Sequence, residues 1–93
     1  MADFRYEVRL SRKALRGLRT FGFSVRFKID AAVTALQDDS FPFHAYDVRK
    51  LVGGHGLYRI RIGEARIVYC VHEPEGVIEI LKIERRGETT YRF

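Results

Sequence analysis

A single cysteine, Cys70, in 93 residues rules out an internal disulfide and suits a reducing compartment. Long apolar runs are missing too: the longest, Ile67 to Val71, falls far short of a bilayer span. Charges interrupt the opening stretch MADFRYEVRLSRK at every second or third position, which leaves no signal-peptide core. A soluble, cytoplasmic protein that makes no use of a membrane is the expectation. The three histidines lack metal-ligand spacing, so a metal-assisted chemistry has little support and no cofactor is implied. No repeat, low-complexity tract or linker divides the chain. Residues 1–93 are therefore expected to form one domain, long enough for one core and too short for two.

Positive charge is what the chain has in excess. Seventeen Lys+Arg against twelve Asp+Glu give a formal charge of +5 and a pI of about 9.7. Such a balance favours an anionic partner, nucleic acid first and an acidic protein next. Placement of the charge has to decide between them.

Phe4 to Leu10 alternates, with Phe4, Tyr6, Val8 and Leu10 on one face and Arg5, Glu7 and Arg9 on the other, the pattern of a half-buried strand. Ser11 stands where a helix N-cap belongs. Before Gly22, Leu15 and Leu18 lie three apart, with Arg12, Lys13, Arg16 and Arg19 largely outward, so a short basic helix is predicted with a solvated arginine face. Ser24 is a second N-cap candidate. Val25, Ile29, Val33 and Leu36 recur at helical spacing and predict a longer helix to about Asp38. DDSFPFHAYDVRKLVGGHG, with Pro42, three glycines and scattered aromatics, reads as an irregular connection back to a sheet.

Three strands are expected after it, at about Leu57–Ile62, Ala65–His72 and Val77–Glu84, joined by Gly63-Glu64 and by Glu73-Pro74-Glu75-Gly76. The order β-α-α-β-β-β implies an α+β fold, a small mainly antiparallel sheet with both helices on one face. Cys70 reads as a small half-buried strand residue rather than a catalytic thiol, with His72 as its one nearby base.

A two-residue turn at Gly63-Glu64 fixes a register: Arg61 pairs with Arg66, Ile60 with Ile67, Arg59 with Val68 and Tyr58 with Tyr69. One face then carries Arg59, Arg61 and Arg66. The pair Arg61 and Arg66, directly opposite, should cost roughly 0.2–1 kcal/mol through like-charge repulsion. With a symmetric second loop, His72 meets Val77 and Val68 meets Leu81, so Val77, Glu79, Leu81, Ile83 and Arg85 would share the arginine face. Glu79 would neutralise part of it, and Tyr91 could fold back towards it. Salt bridges to Glu64, Glu79, Glu84 or Glu88 are the plain structural explanation for these arginines. Phosphate binding is the functional one, because the guanidinium fork donates two parallel hydrogen bonds and stays charged. A cluster of four could also stabilise the added charge of a pentavalent phosphorane.

KLVGGHGLYRIRIGEARIVYCV, residues 50–71, followed by ILKIERRGETTYRF, resembles the RelE/ParE superfamily of toxins from type II toxin-antitoxin pairs, and within it the RelE-like mRNA interferases. The resemblance implies a compact antiparallel sheet with two helices on one side. For the RelE branch it implies a ribosome-dependent endonuclease that cuts mRNA in the decoding site and inhibits translation. There the ribose 2′-hydroxyl attacks the adjacent phosphate. Carried over by position, Arg59, Arg61, Arg66, Arg85 and Tyr91 become the catalytic candidates. Arg86 stands in reserve for Arg85 because the doubled arginine leaves the register open by one, and Lys50 joins it as a substrate-binding candidate. A cognate acidic, RelB-like antitoxin that neutralises the basic groove is the expected partner, beside mRNA and the ribosome.

One departure from the family pattern concerns the general base. Well-known RelE members carry lysines where this chain has Arg59 and Arg61, and arginine hardly serves as a base. His72, Glu64, Glu88 and His55 are the possible substitutes. Two alternatives follow: a ParE-like inhibitor of DNA gyrase, and a catalytically degenerate member that only binds antitoxin.

Overall fold

The computed structural model describes residues 5–53 and 55–86. Seven elements follow in order: β1 (Glu7–Leu10), α1 (Arg12–Arg19), α2 (Phe23–Asp38), β2 (Asp47–Lys50), β3 (Leu57–Ile62), β4 (Ala65–His72) and β5 (Val77–Arg85). The α+β class with two helices over a mainly antiparallel sheet is as expected from the sequence. The sheet, however, has five strands, in the order β1-β5-β4-β3-β2. β2 is the addition, four residues inside the stretch expected to be irregular.

β1 runs parallel to β5, so the helical segment between β1 and β2 carries the chain from one edge of the sheet to the other. Both helices cover the same face. Ile29, Ala32 and Leu36 of α2 are fully buried against Ile60, Ile67, Tyr69, Ile78 and Ile80, while Val25 and Val33 pack at the margin. That is the predicted helical stripe, broadened by Ala32 because a 3.6-residue period brings it to the same side.

α1 meets the sheet through small residues instead of the expected Leu15, which is exposed. Ala14 is fully buried, and a methyl group added at Gly17 would overlap the backbone carbonyl of Ile83. Glycine here permits close contact between a helix and a strand. At the start of α1, Ser11 accepts a hydrogen bond from Ala14 N–H at 3.0 Å, as its N-cap position predicts, and donates one to the Leu81 carbonyl at 2.7 Å. α2 begins one residue ahead of Ser24: Gly22 is its N-cap, with no side-chain bond to the first turn.

The β3–β4 hairpin has the predicted register, including Arg61 opposite Arg66. β4 and β5 start together as expected, with His72 opposite Val77, and then slip. Tyr69 faces Ile80 but Val68 faces Lys82, which leaves Leu81 as an extra residue in a β-bulge. One residue of slip exchanges the two sides of a strand. Ile83 therefore joins the core opposite Ile67, and Lys82 and Glu84 take the face where Leu81, Ile83 and Arg85 were expected.

Candidate functional site

The face of the sheet turned away from the helices holds two neighbouring rows of side chains, each contributed by β2, β3, β4 and β5. One row reads Asp47, Arg61, Arg66, Glu84; the next reads Arg49, Arg59, Val68, Lys82. Neighbouring strands lie about 4.8 Å apart, so both rows are close-set. In the first row the Arg61–Arg66 pair is flanked by a carboxylate at each end, which offsets its repulsion. The second row has no acidic member.

Two carboxylates serve five cations here. Asp47 lies 3.4 Å from Arg59, 3.6 Å from Arg49 and 4.0 Å from Arg61. Glu84 accepts from Arg66 at 2.9 Å and lies 3.3 Å from Lys82. Arg59, Arg66 and Lys82 are buried, with side chains only 5–7% exposed, whereas Arg61 and Arg49 reach into solvent. Burial pulls the Arg59 guanidinium below its ordinary pKa, and Asp47 only partly opposes that. Arg59 also donates to the Asp47 backbone carbonyl at 3.1 Å.

A groove of about 420 Å³ opens over this patch, lined by Arg59, Arg61 and Arg66 and by Arg49, Lys50 and Val52 on and after β2. The structure therefore brings four of the sequence candidates together: Arg59, Arg61, Arg66 and Lys50. Arg85 is not among them. The bulge turns it to the helix side, where it donates to the Thr20 carbonyl at the end of α1 at 3.1 Å, lies 4.5 Å from the centre of the Phe21 ring and pairs with Glu64 at 3.4 Å. A cation at a helix C-terminus offsets the helix dipole, which is a structural use of Arg85. Arg86 is exposed and holds the β3–β4 turn through the Gly63 carbonyl at 3.0 Å. Tyr91 and Glu88 lie outside the described residues.

Asp47, Arg49 and Lys82 were missed by sequence reasoning, and Glu84 was named as a salt-bridge partner, as it is for Arg66, but not placed on this face. For the first two, a recognised β2 would have supplied the signal, since DVRK alternates in phase with RIRI. For Lys82 and Glu84 the bulge hid the correct phase. Among the possible substitutes for a base, Glu64 is engaged by Arg85 and His55 is exposed beside Lys50 in the β2–β3 connection. His72 belongs to a separate cluster at the far end of β4: its Nε2 lies 3.4 Å from Cys70 Sγ and 3.3 Å from Glu79 Oε1. Glu79 is thus drawn to His72 rather than to the arginines.

Comparison with known proteins gives the class of protein that carries this fold, a toxin of a type II toxin-antitoxin system. Residues 8–90 match the family model described as ParE toxin of type II toxin-antitoxin system, parDE. The chain belongs to this family, within the RelE/ParE superfamily, and is a toxin of the RelBE type. The Methanocaldococcus jannaschii protein that carries the name RelE1 is 29% identical over 82 residues, covering 88% of this chain and 91% of that one. In the solved archaeal RelE-RelB complex from Pyrococcus horikoshii, a chain 29% identical superposes with a TM-score of 0.80, covering 91% of this chain and 99% of that one. The E. coli RelBE toxin-antitoxin complex contains a chain of the same fold, with a TM-score of 0.72 at 21% identity and coverages of 86% and 95%. Among the described residues no helix is long and apolar enough to cross a membrane.

Proposed function

We propose that this toxin is a ribosome-dependent mRNA endonuclease, held in check by an acidic RelB-like antitoxin that covers the groove. The observation that carries this reading is the grouping of five cations around two carboxylates on one open face, with Arg59 and Arg66 buried as a floor and Arg61 exposed above them. A phosphodiester in the groove would add a third anion to a patch in which five cations share two carboxylates. The ribose 2′-hydroxyl attacks the adjacent phosphorus and releases its proton to solvent, the bond to the 5′-oxygen breaks as that oxygen takes a proton up from solvent, and a 2′,3′-cyclic phosphate remains with no net change in protons. Arg59, Arg61 and Arg66 stabilise the extra charge of the five-coordinate state. Tyr91 keeps the role that the family resemblance implies, stacking on a base or orienting a proton. Arg85 acts at a distance, by fixing the end of α1.

Arg61→Ala is the variant that tests the reading, because this side chain is exposed and its loss leaves no buried carboxylate unpaired. Purified toxin should cut mRNA on programmed ribosomes, and Arg61→Ala should cut about 10²–10³ times more slowly. Intact mRNA with the wild-type toxin would overturn the proposal.

Inhibition of DNA gyrase, which the resemblance implies for the ParE branch, is a second reading because the matching family model is named for ParE. Against it, α1 is only eight residues long, a short first arm for the extended helical hairpin the resemblance implies for ParE members. Trapped gyrase-DNA cleavage complexes in the presence of the toxin would support it.

A further inference from the structure

Cys70, His72 and Glu79 bring one ligand atom each to within 4.8 Å of one another on the open face, at the end of β4 and β5 away from the arginine groove. We infer that these three side chains form a binding site for a borderline-soft divalent transition metal, zinc above all, which clips β4 to β5. The site is independent of the nuclease reading.

Geometry carries the argument. Zinc bonds of about 2.3 Å to sulfur and 2.0–2.1 Å to nitrogen or oxygen, set at tetrahedral angles, place sulfur about 3.5 Å from nitrogen and nitrogen about 3.4 Å from oxygen. The observed separations are 3.4 Å for Cys70 Sγ to His72 Nε2 and 3.3 Å for His72 Nε2 to Glu79 Oε1; the third pair, Cys70 to Glu79, is held only within 4.8 Å, and the half-exposed Glu79 side chain has to close that gap onto the ion. The sheet explains how three residues so separated in sequence converge. Cys70 and His72 are two apart on one strand and so share a face, and Glu79 is the direct cross-strand partner of Cys70.

The donor set selects the metal. A thiolate and an imidazole favour zinc over magnesium or calcium, which take oxygen ligands. Three protein ligands leave a fourth position for water. On binding, the S–H bond is exchanged for a sulfur-zinc bond and the proton leaves to solvent. Burial and the nearby Glu79 charge hold the Cys70 thiol above its ordinary pKa; a dication between the two groups turns that repulsion into shared ligation. Arg9, the cation opposite Glu79 on β1, is already engaged by Glu7 at 2.8 and 3.2 Å. His72 is exposed and Cys70 half-buried, so the ion can enter without unfolding the strand pair.

The test titrates the reduced full chain with zinc against a chromophoric chelator, and repeats the titration with cobalt to read the sulfur-to-metal charge-transfer band. One ion per chain is expected. Cys70→Ser should abolish the band, and Cys70→Ser, His72→Ala and Glu79→Gln should each weaken zinc at least about tenfold. His44→Ala should leave the affinity unchanged. Zinc should also raise the thermal unfolding midpoint of the wild type and of His44→Ala but not of His72→Ala, a variant of an exposed side chain. Failure of the wild type to compete for zinc would overturn the proposal, as would equal affinity in Cys70→Ser and the wild type.

Discussion

Arg61 and Arg66 stand opposite each other and have unequal jobs. Arg66 is almost fully buried and bonded through two guanidinium nitrogens to Glu84, whereas Arg61 is two-fifths exposed with Asp47 at the limit of pairing distance. Removing Arg66 deprives a carboxylate that is only 13% exposed of its closest cation; with Lys82 still beside Glu84, a loss of about 3 kcal/mol is expected in urea unfolding. Arg61→Ala should cost less than about 1 kcal/mol in the same measurement. A growth or cleavage defect in Arg66→Ala therefore mixes function with folding, and Arg61→Ala separates them. Cys70 gives a second residue-scale prediction. Its raised pKa means that the folded thiol stays protonated where an unfolded one has begun to ionise. Alkylation of the metal-free folded chain near neutral pH should be slower than in denaturant, with the rate rising at higher pH than for the unfolded thiol. The linked stability is full below the unfolded thiol pKa and is lost as pH rises through the folded one.

Ser11 joins three elements through one hydroxyl: it ends β1, caps α1 and satisfies the carbonyl of the bulged Leu81. Ser11→Ala should destabilise by about 1–2 kcal/mol in denaturant melts, more than a cap alone would give at the lower end of that range. Gly17→Ala should cost about 1–3 kcal/mol or prevent folding, because the methyl meets the backbone of β5 rather than a side chain that can move. Gly22 is the contrasting case. Space around it is open and its φ of −71° suits any residue, so Gly22→Ser should add roughly 0.5 kcal/mol of stability by capping α2. The β3–β4 hairpin was legible in the sequence because Gly63 at a positive φ of 53° fixes both turn and register. β2 was not, since four residues between Pro42 and a glycine cluster carry too short a pattern to outweigh the turn signals around them. Nor was the bulge: the loop before β5 sets the register correctly, and nothing in ILKIER announces the extra residue. Hence Arg59, Arg61 and Arg66 were legible as a cluster and Glu84 as a salt-bridge partner, Asp47 and Lys82 were not, and Arg85 was assigned to the wrong side.

Over the whole molecule, β5 lies between β1 and β4 and contributes Ile78, Ile80 and Ile83 to the core while placing Lys82 and Glu84 in the cationic patch. A chain ending at Gly76 retains the helices and the β2-β3-β4 meander but leaves β1 without a neighbour. It should show no cooperative unfolding transition and poor amide dispersion in NMR spectra, whereas the full chain should unfold in one step. Interior strands supplied from late in a sequence also impose an order in time. Synthesis runs at about 5–20 residues per second from the amino end, so the helices emerge well before the strand that must fill the middle of the sheet. A protein proposed to attack ribosomes is thereby unable to assemble its cutting face while most of it is still being made on one.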